Sequence, residues 1–288
     1  MNINKQLTDK HNRRLDIVAT PIGNLKDISE RAINTIKVSD LVICENPKHT
    51  LKLLNKLGIK KKLISLHDYN ENKVIEKLTK HIADKKIVLL SDAGSPLISD
   101  PGFKLVQYCI KNNIDISTVP GPTAIIPALQ LSGMPTNEFS FIGFFPKSKS
   151  QIDEFTKKIK DSNKTTVFFV SSHKVKICIE TLNKKIQKRS FSVLKELTKI
   201  NEKVFRGTNN QIIKQIASQS NSTKGEFVIV VEGKSLKKSN SDNLDEFTQE
   251  IKKMLLKFSL TDVVEIVHKL TKIKKNKIYK CALEVKKK

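Results

Sequence analysis

The chain has 288 residues, with 53 Lys and Arg against 29 Asp and Glu and a formal net charge of +24 at pH 7. No run approaches the roughly 18 apolar residues of a membrane helix, and the N-terminus lacks the apolar segment of a signal peptide, so we expect a soluble cytoplasmic protein. The charge favours a polyanionic partner, although nearly all of it is lysine, and a biased genome would produce the same excess.

The cysteines and histidines indicate neither disulfides nor a metal centre. The four cysteines lie far apart without a CxxC pair, and none of the six histidines falls at ligand spacing beside them. This pattern predicts reduced, buried thiols and chemistry that needs no divalent metal.

The first half of the chain alternates between strand and helix patterns. Short aliphatic runs predict strands at 15–20, 41–45, 63–67, 87–90 and 114–121. Apolar residues at helical spacing predict helices at 28–38, 51–58, 74–82, 103–113 and 123–133. Such alternation is typical of a mostly parallel sheet with helices on both faces.

Three predicted strands end in loops rich in turn-forming residues, at 20–24, 92–102 and 120–124. Because the carboxyl ends of parallel strands meet at one edge of the sheet, we expect these loops to converge on a single cleft. No two of the ten glycines are separated by one residue, so the chain has no GxGxxG motif, and it also lacks a P-loop. The loops therefore suit a small organic ligand better than a nucleoside triphosphate.

The second half predicts another sheet and a basic tail. Strands are expected at 139–145, 165–170, 190–197 and 225–233, with helices at 151–160, 174–184 and 210–217. A polar linker at 234–243 precedes amphipathic segments at 251–258 and 260–270. The predicted domains are thus 1–134, 135–234 and 235–288.

Two features of this half leave alternatives open. Phe141, Phe144 and Phe145 stand beside Pro146 and Lys147, and we interpret them as core residues rather than as a base-stacking surface. The last twenty residues hold nine lysines and one acid, which fits either an RNA-contacting extension or a solvated, frayed terminus.

Several segments resemble one known family. ATPIGNLKDISERA (19–32), SDAGSPLISDPG (91–102), VPGPTAIIPALQLSGMP (119–135), FSFIGFFPK (139–147) and ELTKINE (196–202) are similar to the tetrapyrrole-methylase-like methyltransferases, in particular to the subfamily that acts on ribosomal RNA. The resemblance implies two α/β domains of this type with S-adenosylmethionine in the inter-domain cleft, a short helical basic C-terminal extension and a homodimer. It implies 2′-O-methylation of a cytidine in the decoding region of small-subunit (16S) ribosomal RNA.

The resemblance also implies the residues at the methyl donor. By position these are Pro21, Gly23, Ser95, Ile98, Thr123 and Ala124, with Asp92 and Gly94 shaping the loop. Methyl transfer is an in-line displacement, so alignment of the reacting atoms supplies much of the catalysis. The hydroxyl proton still needs an acceptor, and the candidates in matched segments are Glu45, Lys48, Lys199 and Glu202, each of which could instead form a structural ion pair.

Among several departures from the family pattern, three replace Arg with Lys and two remove an acid. Asn46 and Val170 stand where the subfamily usually carries acids. This departure raises the alternative of a catalytically inactive RNA-binding relative, and the fold alone leaves open a tetrapyrrole precursor as the methylated substrate.

Overall fold

The computed structural model describes residues 14–79, 85–186, 189–217, 224–234, 247–271 and 273–287. The chain divides into two units, of which the first ends at Gly233 and the second begins at Lys234. Both predicted α/β domains lie in the first unit, and their boundary at residue 134 stays a prediction. Within the described residues, no helix is long and apolar enough to cross a membrane.

The first sheet is parallel throughout and has the strand order β3-β2-β4-β1-β5. Its strands are β1 Arg14–Val18, β2 Leu41–Cys44, β3 Leu63–Ser65, β4 Lys86–Leu90 and β5 Asp115–Val119. The connecting helices are α1 Glu30–Val38, α2 Pro47–Lys56, α3 Glu71–Thr79, α4 Phe103–Lys111 and α5 Ile125–Ser132. Aliphatic side chains are buried on both faces of β2 and β4, as expected for a sheet covered by helices on both sides.

Register at the centre of this sheet determines where the three loops emerge. Val18 at the end of β1 pairs with Leu90 of β4 on one side and with Val119 of β5 on the other. The loops that follow β1, β4 and β5 therefore leave the same edge from neighbouring strands.

The second sheet is mixed and has the order β6-β7-β10-β8-β9. Its strands are β6 Phe139–Phe144, β7 Thr165–Val170, β8 Phe191–Lys195, β9 Lys203–Gly207 and β10 Phe227–Val231, with helices α6 Lys149–Asp161, α7 Val175–Lys185 and α8 Asn209–Ala217. The hydrophobic pattern did not predict β9, because this short edge strand carries Lys203 and Arg206 among its five residues. Charged residues are common on edge strands, where they discourage pairing with other chains.

Helix α5 packs on the second sheet, although it follows the last strand of the first. Ile125, Ala128 and Leu129 are buried against side chains of that sheet, including Val167 and Val230. The hydroxyl of Ser192 also donates to the Ser132 carbonyl at 3.0 Å. This helix therefore connects the loop at 120–124, which follows the first sheet, to the core of the second sheet.

The second unit contains three helices among its described residues, α9 Thr248–Leu255, α10 Leu260–Thr271 and α11 Lys275–Lys287. Their apolar side chains form a small core that includes Ile251, Val263, Ile273 and Ile278. The interpretation of the tail as a frayed terminus is wrong for 273–287, because Ile273 and Ile278 anchor it by burial. Lys272 and Lys288 lie outside the described residues, and RNA binding by the tail stays a prediction.

The thiols mostly follow the expectation of burial. Cys44, Cys109 and Cys178 are buried, Cys281 is half-buried, and none of the four forms a disulfide.

Candidate active site

The three loops at the edge of the first sheet are hydrogen-bonded to one another. Thr20 and Gly94 exchange backbone hydrogen bonds, with N–O distances of 2.8 and 3.0 Å. The hydroxyl of Ser95 donates to the carbonyl of Pro122 at 3.3 Å. The convergence expected from the order of strands and loops is therefore present, and the loops form one connected structure.

A cavity of about 420 Å³ lies between these loops and the second sheet. Its walls from the first sheet are Ile22, Asp92, Ala93, Gly94, Ser95, Ile98, Ser99, Asp100, Thr123 and Ala124. Its walls from the second sheet are Phe144, Phe169, Val170, Ser171, Ser172, Leu197, Gly225, Glu226, Phe227 and Val228. A cavity of this size and mixed lining is typical of a small-molecule site.

Most of the residues proposed for the methyl donor line this cavity. Those that do are Asp92, Gly94, Ser95, Ile98, Thr123 and Ala124. Pro21 and Gly23 flank Ile22, which reaches the cavity between them. Contact of any of these residues with a donor stays a prediction.

The loop after β4 has an unusual backbone. Leu97 and Ser99 both have φ of 73°, and Gly94 and Gly102 have φ of 87° and 124°. Residues with side chains rarely adopt positive φ, and such conformations concentrate at functional sites. At Gly102 a Cβ would also lie 2.9 Å from Leu89 Cδ2, so this glycine is needed for both its φ and its close packing.

Carboxylates dominate the electrostatics of the cavity. Asp92, Asp100 and Glu226 line it, and no Lys, Arg or His is present among the described residues of its walls. Burial, together with the nearby Glu45 and Asp92, raises the pKa of Asp100 to about 7, against the opposing effect of a hydrogen bond from Ser91. Burial, with Asp92 and Asp68 nearby, also raises the pKa of Glu45. An acid-lined cavity favours a cationic ligand.

Asp100 is a residue that the sequence pattern did not single out. The motif SDAGSPLISDPG contains it, but nothing in the spacing distinguishes it from an ordinary turn residue before Pro101. What sets Asp100 apart is its environment of burial and nearby acids, which depends on the folded loop.

The four candidate proton acceptors lie outside the walls of the cavity. The Lys199 ammonium pairs with Glu196 at 2.9 Å and with Glu226 at 3.0 Å. Burial lowers the pKa of Lys199, but these two bonds outweigh it and raise that pKa, which suits an ion pair better than a base. Glu202 accepts a hydrogen bond from the Thr198 N–H at 2.6 Å. Glu45 adjoins the acids of the cavity, and Lys48 is exposed on α2.

Among the described residues, no group of three or more His, Cys, Asp or Glu side chains is placed to hold a metal ion. Metal independence of the chemistry stays a prediction.

Comparison with known proteins identifies the type of enzyme. Residues 14–213 match the family described as Tetrapyrrole (Corrin/Porphyrin) Methylases. The chain belongs to this family. The resemblance seen in the sequence motifs is thereby confirmed, and the protein is a methyltransferase.

Relatives named ribosomal RNA small subunit methyltransferase I match this chain over most of its length. The relative from Escherichia coli O157:H7 is 35% identical over 282 residues, which cover 97% of this chain and 98% of the relative. The relative from Haemophilus influenzae is 39% identical over 279 residues, with coverage of 93% and 96%. Among solved structures, cobalt precorrin-4 methyltransferase has a TM-score of 0.57 and is 16% identical. The match covers 77% of this chain and 95% of the solved one, and at this identity it shows the fold alone.

The two positions that lose an acid, Asn46 and Val170, have clear structural roles. The Asn46 side chain caps α2 by accepting from the Lys48 N–H at 3.1 Å, with Pro47 at the first helical position. Asn and Asp are equally good N-caps, so this role survives the loss of the acid. The Asn46 N–H also donates to Asp92 Oδ1 at 3.2 Å. Val170 is 2% exposed and contributes an apolar wall to the cavity.

Gly23 is the point where the loop that follows β1 contacts the ELTK segment. A Cβ at this position would lie 2.4 Å from Lys199 Cγ and 2.8 Å from Thr198 Oγ1. The absence of a side chain therefore lets the Lys199 ion pairs form beside the cavity.

Gly23→Ala is expected to lower the free energy of unfolding by about 1–3 kcal/mol, the usual cost of overpacking. Urea denaturation measures this loss. In a Lys199→Ala background the same change should cost less, because the nearest clashing atom, Lys199 Cγ, is gone. An equal loss in both backgrounds would contradict the close-approach explanation.

Proposed function

We propose that this protein transfers the methyl group of S-adenosylmethionine to the ribose 2′-hydroxyl of a cytidine in the decoding region of small-subunit (16S) ribosomal RNA. The observation that carries the proposal is the acid-lined cavity between the two sheets, formed by the family's loop motifs. The similarity to relatives named for ribosomal RNA supports the choice of substrate. The proposal includes the cytoplasmic location and the homodimer implied by the resemblance.

The residues of the cavity fit S-adenosylmethionine in charge and in size. This donor carries a sulfonium cation and, when bound, supplies an electrophilic methyl group. Asp92, Asp100 and Glu226 provide negative charge, and Ile22 and Phe169 provide apolar surface. Short side chains at Ser95, Thr123 and Ala124 leave room for the ligand.

The 2′-hydroxyl must lose its proton as the new bond to carbon forms. We infer that Asp100 accepts it, because this carboxyl lines the cavity and has a pKa raised to about 7 by burial. A base with such a pKa is matched to proton transfer at neutral pH. Glu45 assists by favouring the protonated form of Asp100, and Lys199 holds the Glu226 carboxylate. The candidates that the family motifs suggest, Glu45, Lys48, Lys199 and Glu202, remain alternatives for the acceptor.

A tetrapyrrole precursor is the second candidate substrate, since the solved structures of this fold include tetrapyrrole methyltransferases. These precursors carry several carboxylates and are anionic, as RNA is, so the choice of RNA rests on the relatives named for ribosomal RNA. An inactive RNA-binding protein is the third candidate, and it is favoured only by Asn46 and Val170.

Mapping of 2′-O-methyl groups in 16S ribosomal RNA, from cells with and without the protein, tests the proposal. We expect one cytidine to lose its 2′-O-methyl group without the protein. Purified protein and S-adenosylmethionine should restore it, on free RNA or on the isolated subunit, in the presence of a chelator. An unchanged methylation map would contradict the proposal, and donor binding without turnover would indicate the inactive relative.

A further inference from the structure

The 420 Å³ cavity proposed for the methyl donor is called the donor cavity here. A second, more open cavity of about 640 Å³ adjoins it on the side of the second sheet. Phe144, Pro146, Lys147, His173 and Lys174 line it, and we call it the Phe144 groove. Phe144 and Ser171 line both cavities. A ligand in the groove would therefore lie directly beside the site of methyl transfer.

The aromatic ring at the junction is exposed. Phe144 is 57% exposed, whereas its neighbour Phe145 is 2% exposed and Phe141 is half-buried. The pairing of β6 with β7 shifts register between Phe141 and Phe144, next to Gly143 with φ of 75°. The interpretation of these aromatics as core is thus right for Phe145 and wrong for Phe144.

Contact with Phe169 orients the exposed ring. The two ring centroids lie 5.2 Å apart in an edge-to-face arrangement. The β-bulge therefore presents a supported aromatic side chain to solvent, with more than half of its surface accessible to a ligand.

The charge of the groove is opposite to that of the donor cavity. Lys147 and Lys174 form no ion pair with a carboxylate in the described part of the chain, and the Lys174 ammonium donates only a long hydrogen bond, 3.4 Å, to the Phe145 carbonyl. Burial and the nearby Lys147 lower the pKa of Lys174. Glu154, the carboxylate of the groove, pairs with Lys158 at 2.9 Å. The groove therefore has positive charge available for an anion.

We propose that the Phe144 groove binds the single-stranded RNA nucleotide next to the methylated one, with its base stacked on Phe144 and its phosphate neutralised by Lys147 and Lys174. An aromatic platform beside unpaired cations is the usual arrangement for single-stranded nucleic acid. The two cavities thus carry opposite charges: acids face the cationic donor, and lysines face the polyanionic substrate. This inference rests on the proposed function.

Stacking is tested with Phe144→Ala and Phe144→Trp, using small ribosomal subunits from cells that lack the protein and the free 16S RNA from them. Loss of stacking should raise the KM for RNA about 10- to 100-fold in the alanine variant, and the tryptophan variant should restore it. Calorimetry with S-adenosylmethionine is run in parallel, because Phe144 also borders the donor cavity. Similar loss in both variants, or an effect confined to donor affinity, would overturn the stacking role.

Charge is tested with a Lys147→Gln and Lys174→Gln double variant. The slope of log RNA affinity against log salt should flatten by about 1.4, because two cations no longer neutralise phosphates of a single strand. Lys104→Gln with Lys111→Gln, on exposed positions of α4, removes the same charge and should leave the slope unchanged.

These outcomes separate the groove from the proposed function. If the wild-type protein methylates the RNA and the groove variants bind it with unchanged affinity and slope, the groove proposal fails alone. If the wild-type protein methylates no ribosomal RNA, the proposed function is wrong, and the groove proposal that rests on it is wrong as well. A change in the oligomeric mass of the groove variants, measured by sedimentation, would assign the groove to self-association and overturn RNA binding.

Discussion

Replacement of Ser95 with leucine is expected to abolish S-adenosylmethionine binding, with a loss of affinity greater than about 100-fold, or roughly 3 kcal/mol. Ser95 lines the donor cavity and donates its hydroxyl to Pro122 in the neighbouring loop. A leucine side chain would occupy part of the 420 Å³ cavity that we propose for the donor. Isothermal titration calorimetry measures the loss.

The matched control for this change is Ser95→Ala. It removes the hydrogen bond to Pro122 but adds no volume. Donor affinity should therefore fall by less than about tenfold, which corresponds to the net free-energy contribution of one hydrogen bond. Thermal unfolding should show that both variants keep the fold. Undiminished donor binding by the leucine variant would place the site outside this cavity.

The second large effect is expected for Asp100→Asn, which should lower the rate of methyl transfer by about 10²- to 10⁴-fold, the usual contribution of general base catalysis. The amide keeps the size of the carboxyl but accepts no proton. In the wild-type protein the rate should rise with pH through about 7, as Asp100 ionises, and the residual rate of the variant should lack this step. Single-turnover rates of methyl transfer, measured between pH 5.5 and 8.5 (roughly 1.5 units either side of that pKa), test for this step. An unchanged rate in the variant would remove Asp100 from the chemistry.

The same substitution has an expected effect on stability that needs no RNA. The pKa of Asp100 is raised in the folded protein, so the folded state holds this proton more tightly than the unfolded chain does. Stability from this group is complete below about pH 4, the ordinary pKa of an aspartate, and is lost as the pH rises through about 7. The asparagine variant should therefore gain stability relative to the wild type over this range, as measured by urea denaturation. A constant difference across the range would contradict burial of the carboxyl.

The sequence pattern predicted those strands and helices whose spacing of apolar residues reflects burial against the core. The run at 87–90 reads as a strand because helices cover both faces of β4, and the turn residues after it mark the loop that lines the cavity. Edge strand β9 was missed, because Lys203 and Arg206 interrupt its short apolar pattern.

The parts of the site that the sequence could not reveal depend on distant residues. The bulge that exposes Phe144 arises from pairing with β7, and the pKa of Asp100 depends on burial and on Glu45, more than fifty residues away. Neither property is visible in the neighbouring residues of the chain. Family motifs marked loops that line the cavity but gave no reason to prefer one acid within them.

The packing of α5 determines how much freedom the donor cavity has. This helix begins at Ile125, directly after Thr123 and Ala124, and its buried face belongs to the core of the second sheet. Pro122, just before these residues, accepts the hydrogen bond from Ser95 of the first sheet's loop. Separation of the two sheets would thus pull one wall of the cavity away from another and break a packed core. We therefore expect a preorganised site, at which ordering of the protein takes little of the donor's binding free energy.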